Sequence, residues 1–152
     1  MAVKPIPDDS QGITPYLIGK NAASAIDFYK RAFGAQEIVR IGHEDKVGHC
    51  ELKIGDAGFM LADEFPAMDA LSPQTIGGTG VSLYLYVEDV DSFTEKAIAE
   101  GLKVLKPVSN QFYGDRSGHF EDPFGHRWGF ATHIEDLTPE ELDARAKGLH
   151  GE

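Results

Sequence analysis

The sequence predicts an α+β fold built from two similar halves, each running strand–helix–strand–strand–strand, with a short helix at the C-terminus. Three observations predict it. Strand-like and helix-like segments follow that order twice. The helix of each half ends at a glycine, Gly34 and Gly101. The pattern Gly-His-x-Glu occurs at Gly48–Glu51 and again at Gly118–Glu121. A short pattern that recurs in step with whole elements marks a duplicated unit. The halves are expected at about 12–64 and 81–134, joined by 65–80, with the last helix at about 138–148, all within one domain of 152 residues.

Each element has a local cause. Ile13–Gly19 (ITPYLIG) reads as a strand, and the helix after it is capped by Asn21. Its apolar stripe is Ala22, Ala25, Ile26, Tyr29, Ala32 and Phe33, and Gly34 sits where a left-handed C′ residue belongs. EIVRI, VGHCELKI and GFMLAD follow as strands separated by the turn-prone HED and GDAG. The stretch from Phe65 to Gly80, rich in Pro, Ser, Thr and Gly, reads as a connecting loop, with Gly77–Gly80 as a flexible linker. VSLYLYV restarts the pattern. Asp89 caps the second helix, whose expected stripe is Val90, Phe93, Ala97 and Ile98. LKVLKPV, the segment ending HFED, and RWGFATH complete the second half. In the tail, Thr138, Pro139 and Glu141 form a capping box, with Leu142 and Ala146 as the expected packing contacts.

Composition narrows the function. With 25 acidic residues against 14 Lys and Arg, the formal net charge is −11. Such a field repels phosphate backbones and anionic lipid, so no nucleic acid and no membrane surface is expected as a partner. A neutral or cationic small organic molecule suits it. The lone cysteine, Cys50, excludes an intrachain disulfide and is expected in the core. The start, MAVKPIPDDSQG, carries no apolar signal-like run, and no stretch reaches membrane-spanning length. A cytoplasmic location is expected.

The helix AIDFYKRAFGA, the strand-to-helix junction LYVEDVDS, and the set QFYGDRSG…DPFGHRW fall in an order that resembles the vicinal oxygen chelate superfamily, which includes glyoxalase I, bleomycin resistance proteins and extradiol dioxygenases; the last set is most similar to its PhnB-like group. The resemblance covers about residues 12–134. It implies two βαβββ modules whose sheets curl around a cavity, completed in a homodimer. It also implies where metal-dependent members hold their ion, on the first and last strands of each module. Those positions map here to Thr14 and Ser82, and to Met60 and Gly129. None supplies an imidazole or a carboxylate, so no cofactor is expected, a divalent metal being the alternative.

The stretch YGDRSGHFEDPFGHRW spans Tyr113 to Trp128. Asp122-Pro123-Phe124-Gly125 meets the demands of a three-residue hairpin loop, in which Asp122 is a turn former. That register pairs Phe120 with Trp128, Glu121 with Arg127 and His119 with Gly129. Phe120, Trp128 and Phe130 then face the helix, and His119, Glu121, Arg127, Gly129, Ala131 and His133 face the cavity. Glu121 and Arg127 read as a cross-strand ion pair, and His126 as solvent-facing. Tyr113, Asp115 and Arg116 are expected at the cavity mouth, with the Arg116 guanidinium open to a carboxylate or amide.

In the first half, His49 and Glu51 share a strand face and mirror His119 and Glu121. These four are the candidates for acid–base work, or for a relocated metal. Tyr16 and Ile18 with Met60, and Ser82, Tyr84 and Tyr86, are expected to line a pocket wall suited to a flat or cationic ligand through stacking and cation–π contact. Two classes follow. The leading one is a metal-independent small-molecule-binding protein. The alternative is a metal-dependent or acid–base lyase, isomerase or dioxygenase.

Overall fold

The computed structural model describes residues 2–10 and 12–149. The chain divides into two compact units between Thr79 and Gly80. The fold is α+β, and each unit is a βαβββ module.

In the first unit the order is β1 (Tyr16–Gly19), α1 (Ala22–Phe33), β2 (Gln36–His43), β3 (Lys46–Ile54) and β4 (Ala57–Asp63). The sheet runs β1-β4-β3-β2, with β1 and β4 parallel and the other neighbours antiparallel. The expected caps form: Asn21 accepts from the Ser24 amide at 3.2 Å, and Gly34 takes φ 68°. The helix stripe, led by Ile26 and Tyr29, is buried, as are Cys50, Leu52 and Ile54 of β3. Tyr29 and Phe59 meet edge to face at 5.6 Å, and Cys50, fully buried, lies in the core as expected. Burial raises its thiol pKa, which suits a packing role. At the end of β4, the Asp63 carboxylate accepts from the Ala22 amide at 2.8 Å and the Val47 amide at 2.7 Å, tying the helix start to β3.

The stretch expected to be a connecting loop is instead folded onto this unit. A 3-10 turn at Pro66–Met68 is followed by the short helix α2 (Pro73–Ile76), which packs near β1. Ser72 is buried and gives both its amide (2.8 Å) and its hydroxyl (2.5 Å) to Glu64. Those Ser72 bonds, with Thr75, hold the Glu64 carboxyl down at about 2. Gly77 ends α2 at φ 99°.

The second unit repeats the scheme with β5 (Ser82–Tyr86), α3 (Val90–Ala99), β6 (Lys103–Asn110), β7 (Asp115–Glu121) and β8 (Arg127–His133), followed by α4 (Pro139–Leu149). Its sheet runs β5-β8-β7-β6, again with the outer first strand parallel to the last. Thr132 does here what Asp63 does in the first unit: its hydroxyl accepts from the Val90 amide at 2.9 Å and donates to the Val87 carbonyl at 2.9 Å. The α3 stripe is displaced from the expected one. Val90, Thr94 and Ala97 are buried, and Ile98 is exposed. Thr94 tolerates burial because its hydroxyl donates to the Val90 carbonyl at 2.8 Å. Phe93 still reaches the sheet, its ring centre 4.8 Å from that of Phe130.

The β7–β8 hairpin has the predicted register, including Phe120 with Trp128, Glu121 with Arg127 and His119 with Gly129. Phe120, Trp128 and Phe130 are all buried. Asp122 forms the turn, accepting from the Phe124 and His126 amides at 2.9 and 3.0 Å, and it also accepts from the Trp128 indole at 2.9 Å. The capping box of α4 forms between Thr138 and Glu141, and Leu142 and Ala146 are its half-buried residues. Arg145 clamps the helix to Glu135 and to the Phe112 carbonyl. No helix among the described residues is long and apolar enough to cross a membrane.

Candidate functional site

The second unit's sheet presents, on the side away from α3, a face set by strand alternation and by two registers. Parallel pairing places Ser82, Tyr84 and Tyr86 beside Arg127, Gly129 and Ala131. Antiparallel pairing places Glu121, His119, Ser117 and Asp115 beside Arg127, Gly129, Ala131 and His133. Two tyrosines therefore stand on one side of a shallow track floored by glycine and alanine, with polar residues on the other.

Both tyrosines cross that track to the same atom. The hydroxyls of Tyr84 and Tyr86 donate to Asp115 Oδ2 at 2.9 and 2.8 Å. Their rings stand edge to face, 5.4 Å apart. The other oxygen of Asp115 lies 2.9 Å from His133 Nδ1, and His133 Nε2 lies 2.8 Å from Asp136 Oδ1. Asp115 is buried and His133 is half-exposed.

The electrostatics follow from this geometry. Burial by itself would raise the Asp115 carboxyl, but donation from His133, Tyr86 and Tyr84 outweighs it and holds the carboxyl below the usual range. The Tyr84 hydroxyl is pushed well up, first by burial and then by the adjacent anion. Tyr86 is raised chiefly by its bond to Asp115. Both remain neutral donors at any physiological pH. His133 is raised above an ordinary histidine by Asp115 and then Asp136.

Gly129 makes the crossing possible. A Cβ placed there would stand 2.7 Å from Tyr84 Cδ1 and 3.4 Å from His119 Cε1, so the tyrosine ring occupies the space that a side chain would need. Gly129→Ala is therefore expected to push Tyr84 away from Asp115 at a cost of about 1–2 kcal/mol. Urea unfolding reads the cost and the Tyr84 ring resonances read the displacement; unchanged stability and unchanged resonances would mean the ring is not held against the strand.

The turn before β7 explains how Asp115 comes to point inward. Gly114 takes φ 97°, and its carbonyl accepts from the Ile134 and Glu135 amides at 2.9 and 3.1 Å. Tyr113, just before it, places its hydroxyl 3.3 Å from Ser117 Oγ and so stays beside the cluster. Arg116 does not. One residue further along the strand it lies on the α3 side, where its guanidinium holds Asp91 at 2.8 and 2.9 Å and Asn110 at 3.0 Å. Its fork is engaged within the fold rather than open to a ligand. Ser82 lies at the end of the sheet, beside Arg127 and two residues from Tyr84.

In the first unit, Tyr16 pairs with Met60, and Met60 with Glu51. The Tyr16 hydroxyl lies 2.8 Å from His49 Nδ1, and His49 Nε2 is 3.9 Å from Glu51. Burial, then the neighbouring Cys50 and Glu51, raises the Tyr16 pKa. A hollow of about 800 Å³ is lined by Tyr16, Ile18, Val47, Ala62, Phe65 and Met68, among others. Two carboxylates on its wall, Asp63 and Glu64, are already bonded to amides and hydroxyls. A second hollow, of about 330 Å³, includes Thr14, Glu51 and Met60.

Four residues mark the positions implied for a metal: Thr14, Met60, Ser82 and Gly129. They offer two hydroxyls, a thioether and no side chain, a donor set unfit for a divalent ion. Among the described residues, no three His, Cys, Asp or Glu side chains are grouped so as to hold one elsewhere. His49 with Glu51, and His119 with Glu121, each share a face but are not gathered into a larger cluster.

The residue that sequence reasoning missed is His133, placed on the correct face but given no partner. The signal was present. Continuing the predicted hairpin register inward from Phe120 and Trp128 pairs Asp115 with His133, and the structure has that pair.

Comparison with known proteins agrees with the architecture. Residues 13–130 match the model of the Glyoxalase/Bleomycin resistance protein/Dioxygenase superfamily. The uncharacterized protein Mb0911c of Mycobacterium bovis is 38% identical over 136 residues, covering 87% of this chain and 90% of its own. Among solved structures, TioX from Micromonospora sp. ML1 is similar with a TM-score of 0.66 at 22% identity, covering 84% of this chain and 100% of TioX. The fosfomycin resistance protein FosX from Listeria monocytogenes, solved with Mn(II) and sulfate, is similar with a TM-score of 0.61 at 22% identity, covering 90% of this chain and 98% of FosX. At those identities the two structures establish likeness of fold alone. On the span of the family match and the kinship with Mb0911c, the chain belongs to the glyoxalase/bleomycin resistance protein/dioxygenase superfamily.

Proposed function

We propose that this protein binds a small organic ligand, aromatic or cationic, without a metal, and that it does so in the cytoplasm as a homodimer. One observation carries the reading: Tyr84 and Tyr86 donate to a single oxygen of buried Asp115. Tethering both hydroxyls fixes two ring faces in advance, so little side-chain freedom is lost when a guest stacks on them. A phenol that donates to a carboxylate is also more electron-rich, which favours a cation over the ring. Such contacts contribute about 0.5–2 kcal/mol each. The overall charge of −11 draws the same class of ligand.

The lack of imidazole and carboxylate at Thr14, Met60, Ser82 and Gly129 supports the metal-free part of the reading. The expected result is micromolar binding of N-methylquinolinium by calorimetry, weakened about tenfold or more when Tyr84 and Tyr86 are both replaced by leucine. No binding of this cation by the purified protein would count against the assignment.

A second reading has its own support. The contact between the Tyr16 hydroxyl and His49, with Glu51 beyond it, is an arrangement able to hold and pass a proton. It favours a lyase or isomerase of the same superfamily. A stoichiometric divalent ion in protein purified without chelator would support that class over metal-free ligand binding.

A further inference from the structure

We propose that an aromatic cation and the proton of His133 compete for the charge of Asp115, so that the tyrosine platform takes up the cation as His133 gives up its proton. The inference rests on the binding reading above and adds how that site is regulated. Its basis is the placement of one imidazole between two carboxylates, directly beside the rings.

Both ring nitrogens of His133 face carboxylate oxygens, at 2.9 Å from Asp115 and 2.8 Å from Asp136. Both contacts are hydrogen bonds only if both nitrogens donate, which requires the imidazolium. The same imidazole stands edge-on to the Tyr86 ring, 6.4 Å between centres. A resident cation thus already sits where the platform meets its anion. Among the other groups beside it, the Tyr113 phenol is turned to Ser117, 3.3 Å from its hydroxyl. Tyr84 and Tyr86 are neutral donors to Asp115, and Glu135, the next acid along the chain, is paired with Arg145 of α4.

When His133 loses a proton, one N–H remains for two acceptors. Asp115 is buried and Asp136 is fully exposed. Leaving a buried carboxylate short of a donor costs more than leaving a hydrated one, so the remaining proton stays on Nδ1 and Asp136 turns to water. The rings therefore keep their places. The net charge of Asp115, His133 and Asp136 goes from one negative to two. A cation stacked on Tyr84 or Tyr86 gains that charge, and a neutral ring of the same shape gains nothing.

Reciprocity makes the proposal testable from either side. Calorimetry with the full chain should show N-methylquinolinium binding about fivefold tighter once His133 is neutral, over a window that lies above about pH 6.5, with neutral quinoline flat across the same range. Salt should shrink the difference. In His133→Gln the cation should bind at the tighter level throughout the pH range in which Asp115 stays ionised. In the unaltered protein, saturation with the cation should lower the pH midpoint of the His133 ring resonances, a readout that needs no variant to fold. Cation binding that is independent of pH, or a His133 midpoint unmoved by the cation, would overturn the competition and leave the binding reading standing. Failure of both probes to bind at any pH would overturn both.

Discussion

Replacing Asp115 by alanine is expected to lower the unfolding free energy by about 2 kcal/mol, close to 1 kcal/mol for each of the two tyrosine hydroxyls left without an acceptor. Tyr84, Tyr86 and His133 all converge on this carboxylate, and it lies at the buried end of their contacts. The figure sits at the low end for unmet groups because the tyrosines are partly exposed and water can reach them. Urea unfolding at pH 6 measures it, and a loss below about 1 kcal/mol would show that the donors are hydrated equally well without Asp115.

The same substitution changes the pH dependence of stability. The Asp115 carboxyl is depressed in the folded protein, so its contribution is present above its unfolded value of about 3.9 and is lost as pH falls through the lower folded value. His133 has the opposite sign. Its folded pKa is raised, so its contribution is complete below about 6.5 and disappears as pH rises through the folded value. In Asp115→Ala the acid-side loss from this carboxyl vanishes and the alkaline-side loss shrinks, since only Asp136 remains to hold the imidazolium.

Asp122→Ala is expected to cost about 3–4 kcal/mol, through three donors: the Phe124 and His126 amides and the Trp128 indole. Here the carboxylate is buried and the indole bond is wholly inside, so water offers little compensation. Asp122→Asn should recover part of the loss, because its amide oxygen can still accept from the two backbone amides. Thermal unfolding of the pair separates the turn from the indole bond; equal losses in both variants would place the whole effect in the Trp128 contact. The variant also bears on the site. The loop sets the β7–β8 register, and that register delivers Asp115 opposite His133.

Much of the fold was legible because its causes are local. Asn21 and Asp89 as caps, Gly34 as a left-handed terminus, and the Asp122–Gly125 loop each depend on a few adjacent residues, and each forms as read. A hairpin loop of known length fixes every pair along its two strands, which is why Phe120 opposite Trp128 could be read directly. The α3 stripe was misplaced because a buried threonine can satisfy itself within its own helix, and periodicity of apolar residues does not see that.

The sequence by itself determined the duplicated βαβββ plan, the helix ends, the hairpin register and which residues share a strand face. Only the tertiary structure decided that Tyr84 and Tyr86 meet on one oxygen of Asp115, that Gly129 is bare because a ring lies over it, and that Arg116 is engaged by Asp91. For the first two, the physical reason is the parallel pairing of β5 with β8. No turn links those strands, and the helix and two strands between them leave their register to packing across the whole unit. Alternation says which way a side chain points. Which partner it finds there depends on strands brought together from far along the chain.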